Sequence, residues 1–259
     1  MKILIKIKYV GTAYSGYQVQ KNAPTVQGKL CEALEELFGF PCDVTGCSRT
    51  DSGVHANMFC ATVAKHGEDS IETTIPLDRF PRAINAFLPE DIAVFSAEYV
   101  PDEFHARHDV LYKEYVYKMR FSYERDPFIA DRAWQIPLIA DDETVRRMDE
   151  AAKNFVGTHD FSSYMAQGSP VVSTVRTVFY AGVERDGDNV IFRVRGDGFL
   201  YNMVRIMTGT LVSVASNKIR PTDIPNITEA RDRTASGATA PACGLYLNEV
   251  VYPKEKGEN

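Results

Sequence analysis

Lys2-Ile3-Leu4-Ile5-Lys6-Ile7-Lys8-Tyr9 opens the chain after the first methionine. Ile3, Ile5 and Ile7 alternate with Leu4, Lys6 and Lys8, the period-two pattern of a β-strand. The run Gly11-Thr12-Ala13-Tyr14-Ser15-Gly16 reads as a loop. Beyond it, Val26, Leu30, Leu34 and Leu37 recur at helical spacing, with Pro24 just ahead of them. Residues 44–47 and 59–63 read as short strands on either side of a loop, 48–56. A helix near 77–87 and a strand near 92–99 complete a first α+β unit.

A second unit of similar make-up follows. Residues 111–119 read as a strand, and Val145, Met148, Ala152 and Phe155 mark a helix. Strands near 175–184 and 190–194 precede an apolar helix over 199–215. A last strand covers 245–252. Pro101-Asp102-Glu103 looks like a junction, so the predicted domains are 1–104 and 105–259. No short-period repeat or low-complexity segment interrupts this order.

The 259 residues are 44% hydrophobic and 25% charged, which supplies a real core and excludes wholesale disorder. No uncharged stretch exceeds 15 residues, and those of that length are polar, so no transmembrane helix is expected. The opening residues alternate Lys with apolar residues and lack a continuous apolar region, unlike a secretory signal. Net charge is −6, which argues mildly against a nucleic-acid partner. The imbalance sits mostly in residues 1–104, with 9 Lys and Arg against 14 Asp and Glu. Cys31, Cys42, Cys47, Cys60 and Cys243 form no C-x-x-C pair, and the five His residues form no ligand-like cluster. Neither a disulfide framework nor a metal site is expected, and a reducing cytoplasm is the natural setting.

Three places could carry chemistry. Ser48-Arg49-Thr50-Asp51-Ser52-Gly53-Val54-His55-Ala56 gathers Arg, Asp and His in one turn between apolar strands. Asp51 is either a turn former capping a backbone N–H or a carboxylate presented as nucleophile or base. His55 is either its acid–base partner or a structural donor. In Phe199–Ala215 the only charge is Arg205. An isolated Arg there either snorkels to solvent or, if buried, needs a carboxylate or phosphate partner; Asp51 would suit, since Arg keeps an Asp ionised. Phe104-His105-Ala106-Arg107-His108 mixes an aromatic with cationic groups, which suits RNA or a domain-interface salt bridge. Tyr115 and Tyr117 share a face of the next strand, a pattern more typical of a core stripe than of a functional Tyr.

Taken in order, the motifs resemble the TruA family of tRNA pseudouridine synthases. They are Tyr9-Val10-Gly11-Thr12; Gly16-Tyr17-Gln18-Val19-Gln20; Thr25-Val26-Gln27; Arg49-Thr50-Asp51-Ser52-Gly53-Val54-His55-Ala56; Phe104-His105-Ala106-Arg107; Lys113-Glu114-Tyr115-Val116-Tyr117; His159-Asp160-Phe161-Ser162-Ser163; Gly198-Phe199-Leu200 with Met203-Val204-Arg205; and Ala240-Pro241-Ala242 with Gly244-Leu245-Tyr246-Leu247. Each is weak alone; together they span nearly the whole chain.

The resemblance implies two RRM-like (ferredoxin-like) α+β domains whose antiparallel sheets flank a central active-site cleft. It implies a homodimer that converts uridine to pseudouridine in the tRNA anticodon stem-loop, at positions 38, 39 and 40, without cofactor or metal. By motif it makes Asp51 the nucleophile, Arg205 its ion-pair partner and Tyr115 the ring stacked on the target uracil. Arg49 helps displace the target base, and Phe104, His105, Ala106, Arg107 and His108 contact RNA. Tyr17 stands where the family usually has Trp, Ser48 where it usually has Gly, and the segment 168–172 carries no charge.

The chemistry asks for such a set. The N1–C1′ bond must break, the base must turn, and C5 must bond to C1′. A carboxylate can attack C1′, assist departure of the base to a glycal, or add to C6; the sequence leaves all three routes open. The base must leave the stack to be reached. A non-catalytic RNA binder is the rival reading, but an Asp facing phosphates would repel them. A carboxylate glycosidase would want two carboxylates at a set separation.

Overall fold

A computed structural model describes residues 1–168 and 171–253, and the chain divides into two units. The first is Met1–Leu111 together with the chain from Tyr246 onward, and the second is Tyr112–Leu245. Of the uncharged segment 168–172, Ser169 and Pro170 fall outside the described residues.

The first unit runs β1 (Lys2–Tyr9), α1 (Val26–Phe38), β2 (Cys42–Gly46), β3 (His55–Lys65), α2 (Phe80–Asn85) and β4 (Ile92–Val100). This is the β-α-β-β-α-β order of a split βαβ motif. β1 is central: Ile5 faces Ala61 of antiparallel β3 on one side and Ala97 of antiparallel β4 on the other. Ile3, Ile5 and Ile7 are fully buried, as the alternation predicts, and Leu30 and Leu34 of α1 are equally buried. Each such side chain contributes about 1.5–3 kcal/mol of transfer free energy. Thr25 caps α1 by accepting from the Gly28 N–H, and Gly39 ends it in the left-handed region at φ 77°. α2 has only six residues, fewer than predicted, with Pro81 at its start.

The second unit contains β5 (Tyr112–Phe121), β6 (Trp134–Ile136), α3 (Asp142–Lys153), β7 (Gly157–Asp160), β8 (Val175–Asp186), β9 (Asn189–Gly196), α4 (Met203–Ala215) and α5 (Ile224–Ala230). Its sheet orders β5-β9-β8-β7, all antiparallel, with β6 parallel to β5. Asp141 caps α3 through the Thr144 N–H, and Asp142 and Glu143 fill its first turn, where they complement the helix dipole. Helix α4 begins at Met203 and not at Phe199, because Asn202 turns into the left-handed region at φ 59°.

The final strand, β10 (Leu245–Val251), pairs parallel with β3 through Tyr246↔His55 and Leu247↔Ala56. A chain that returns to its first unit could not be placed by a single boundary at 104/105. The outer edge of β3 therefore has two partners: β10 along its first residues, and β2 from Ala61 to Lys65. The loop 47–54 leaves the sheet where one gives way to the other. Among the described residues no helix is long and apolar enough to cross a membrane.

Candidate active site

Asp51 is half-buried, between exposed Arg49 and Ser52, on the loop from β2 to β3. The loop is fastened to the first strand and to the turn after it. The Tyr9 and Thr50 hydroxyls share a buried 2.7 Å hydrogen bond. The Tyr17 N–H donates to the Thr50 carbonyl at 3.1 Å, and the Ser52 hydroxyl donates to the Tyr14 carbonyl at 3.1 Å. The Val54 N–H closes the turn on the Asp51 carbonyl at 3.2 Å. These contacts shape the loop through groups other than the Asp51 carboxylate. Tyr17, at the position of the family's Trp, is buried and stacks on Phe59 with ring centroids 4.2 Å apart.

His55 accepts a main-chain hydrogen bond through its ring. Its Nδ1 takes the Gly11 N–H at 3.0 Å, which places the proton of the neutral ring on Nε2. It is 1% exposed and stacks on Tyr246, 4.7 Å between centroids. Gly11 is required there: a Cβ would lie 1.9 Å from the Val54 carbonyl oxygen.

The 104–108 segment forms a tight turn. His105 N–H donates to the Asp109 carboxylate at 2.8 Å, and Arg107 N–H donates to His105 Nδ1 at 3.1 Å. Burial, then the neighbouring His108, pushes the His105 pKa down, so its imidazole is neutral at pH 7. Ala106 is fully buried, and its carbonyl accepts from the Tyr252 hydroxyl at 2.7 Å. Phe104 packs against Tyr252, 5.0 Å between centroids. Arg107 and His108 are exposed and form the outward face of the turn.

Tyr115 and Arg205 belong to the second unit, and Asp51, Arg49 and the 104–108 turn to the first. Tyr115 lies on β5 opposite Val194, 8% exposed, with Phe199 edge-on at 5.0 Å. Tyr117, on the same face, is fully buried and donates its hydroxyl to the Pro241 carbonyl at 2.6 Å, the core role expected of the stripe. Arg205 does not snorkel. It is half-buried, its Nε donates to the Ala240 carbonyl at 2.7 Å, and its Nη1 donates to the Asn202 side chain at 2.8 Å.

Some residues escaped the sequence reading. Asn202 and the Ala240 carbonyl hold Arg205; Ala240 opens one motif and Asn202 directly precedes Met203-Val204-Arg205, and neither place announces the contact. Glu114 has a nearly buried side chain, 4% exposed, between Arg193 at 2.9 Å and Arg195 at 2.8 Å. The i, i+2 arginines of β9 were the available signal. Among the described residues no group of three or more His, Cys, Asp and Glu side chains is arranged to hold a metal ion.

Comparison with known proteins matches residues 5–109 and 151–253 to the family described as tRNA pseudouridine synthase. A protein of Clostridium acetobutylicum named tRNA pseudouridine synthase A is 40% identical over 250 residues, 96% of this chain and 99% of its own. Proteins of the same name from Ruminiclostridium cellulolyticum and Acetivibrio thermocellus are each 44% identical, over 97% and 95% of this chain and 99% and 97% of theirs. A solved chain of a Cbf5-Nop10-Gar1 complex covers 80% of this chain and 43% of its own at 16% identity; its TM-score of 0.37 carries no argument.

Proposed function

The chain belongs to the tRNA pseudouridine synthase family, and we propose that it isomerises uridine to pseudouridine in the anticodon stem-loop, at positions 38, 39 and 40, with Asp51 as the nucleophile. The observation that carries this reading is the fastening of the Asp51 loop. Thr50 is held through both its hydroxyl and its carbonyl, and Asp51 through its own carbonyl. A carboxylate delivered on a rigid turn loses little alignment between binding and reaction, and alignment is where such sites gain rate.

Three routes are open to that carboxylate: attack at C1′, expulsion of the base to a glycal, or addition to C6. Each needs it ionised, and each breaks N1–C1′ and forms C5–C1′ with no net gain or loss of atoms. Arg205 is the cation that keeps Asp51 ionised in this reading. Tyr115 supplies a flat partner for the uracil while it turns. Arg49, exposed two residues before Asp51, enters the space left by the flipped base. Phe104, His105, Ala106, Arg107 and His108 form a turn against the RNA, with Arg107 as its reliable cation. In this reading the chain folds as two RRM-like α+β domains and works as a cytoplasmic homodimer that uses no cofactor. The test is incubation with unmodified tRNA transcripts and position-resolved mapping of pseudouridine. Product confined to 38, 39 and 40 supports the reading; product only elsewhere, or none, overturns it.

A further inference from the structure

The guanidinium of Arg205 is gripped from two sides by groups that do no chemistry themselves. Its Nε donates to the Ala240 carbonyl at 2.7 Å and its Nη1 to the Asn202 side-chain oxygen at 2.8 Å. The first grip is rigid. The Ala240 N–H donates back to the Arg205 carbonyl at 3.1 Å, and Tyr117 holds the next carbonyl, that of Pro241, at 2.6 Å. Upstream, the Gly237 N–H donates to the Thr210 hydroxyl at 2.9 Å. The Ala238 carbonyl lies so close to Gly209 of α4 that a Cβ there would meet it at 1.7 Å. This stretch of chain is bound to the helix that carries Arg205.

The second grip rests on one side chain. Asn202 precedes the helix in the left-handed region, at φ 59°, which Asn tolerates better than most residues. At this corner its side chain does not cap the helix. It reaches forward three residues to Arg205. An Asn in that conformation thus does two things: it turns the chain into α4, and it presents an acceptor to the arginine.

We propose that Asn202 is a positioning residue, which with the Ala240 carbonyl fixes the direction of the Arg205 guanidinium. With Nε and Nη1 both engaged, the end of the side chain cannot rotate, and Nη2 is aimed along one line. Ala240 cannot be varied at its carbonyl; Asn202 can be varied at its side chain. The inference rests on the reading of Arg205 as partner of the nucleophile, and the test separates the two.

Asn202→Gly keeps access to the left-handed backbone and removes only the acceptor. Asn202→Asp keeps an oxygen in the same place. Single-turnover pseudouridine formation at saturating enzyme and tRNA affinity are measured for both, with the same substitutions in an Arg205→Met background. Asn202→Gly is expected to slow the reaction by about 10- to 100-fold, the scale of misalignment of a catalytic group, with affinity unchanged within about twofold. Asn202→Asp should recover most of that rate, and in Arg205→Met neither change should matter further. A parental rate in Asn202→Gly overturns the proposal, as does an Asn202→Asp variant as slow as Asn202→Gly. Should Asn202→Gly fail to fold, the Asp variant decides: a near-parental rate that depends on Arg205 supports the proposal, and a slow folded enzyme overturns it. A parental rate in Arg205→Met overturns the reading of Arg205 itself.

Discussion

Gly11→Ala is expected to slow the chemistry by moving the loop that carries Asp51. The added methyl would lie 1.9 Å from the Val54 carbonyl oxygen and 2.6 Å from its carbon. That is about 1.5 Å short of ordinary contact, and dispersion turns to steep repulsion at such distances. Both partners are main chain, so no side-chain rotation relieves the overlap. Gly11 is not in the left-handed region, so the clash and not backbone torsion carries the effect. Val54 closes the turn on Asp51, and Gly11 itself holds His55, so the displacement reaches Asp51 directly. Overpacking of this kind costs about 1–3 kcal/mol of stability. A shift of about 1 Å at the carboxylate costs ~10²-fold in rate. The assay is single-turnover pseudouridine formation at saturating enzyme, beside tRNA affinity and a denaturation curve. Gly39→Ala is the control: it sits at φ 77° with nothing within 4 Å, so it adds backbone strain without a clash. It should lose stability and keep the parental rate. Gly11→Ala reacting at the parental rate, or Gly39→Ala slowed as much, would refute the reasoning.

Tyr9→Phe leaves the buried Thr50 hydroxyl without its Tyr9 partner and should cost about 1–3 kcal/mol in denaturant unfolding; a loss below about 0.5 kcal/mol would show the bond to be idle. Glu114→Ala separates a nearly buried carboxylate from Arg193 and Arg195, which are 32% and 37% exposed. Solvent at the arginines should hold the loss below the ~3–5 kcal/mol of a fully buried pair, at about 1–3 kcal/mol, and unchanged stability would contradict this. The Asp43–His66 hydrogen bond, 2.8 Å, holds Asp43 below the usual carboxylate range and raises His66. The Asp43 contribution is present above the ordinary carboxylate pKa and is lost as pH falls through the lowered value. The His66 contribution is full below the ordinary imidazole pKa and is lost as pH rises through the raised value. NMR titration of His66 should therefore move back toward the ordinary imidazole range in Asp43→Asn, and an unmoved titration would rule out Asp43 as the cause.

Strand β1 was legible to its last residue, because alternation is a local signal that tertiary context did not override. The start of β3 was not. His55 there pairs with Tyr246, Ala56 pairs with Tyr9 and Leu247, and His55, Ala56 and Asn57 carry no apolar run of their own. The return of β10 to the first unit is likewise invisible to local pattern. Phe199 to Asn202 looked helical by composition, and one left-handed Asn decided otherwise. Asp51 and Arg205 stood out in the sequence as candidates, one as an acid in a turn and the other as an isolated charge on an apolar stretch, while their roles came only from the family resemblance. What holds them was not legible. Tyr9 meets Thr50 across 41 positions and Arg205 meets Ala240 across 35, and separations of that size leave no periodicity to read. For His55 the sequence left open an acid–base partner or a structural donor; it does not say which ring nitrogen accepts, and in the structure Nδ1 does.

The central claim is that Asp51 performs the chemistry. Asn has nearly the same shape and still accepts hydrogen bonds, but its amide is a very poor nucleophile. The hydrogen bonds through Thr50, Ser52 and main-chain groups remain in Asp51→Asn, which favours a loop that keeps its place. The most direct measurement is single-turnover pseudouridine formation by Asp51→Asn at saturating enzyme, with tRNA affinity measured alongside. The account predicts no detectable pseudouridine and affinity equal to the parent's or tighter, since one negative charge near RNA is gone. Pseudouridine formed at a rate near the parent's would contradict it and return Asp51 to the role of a turn former.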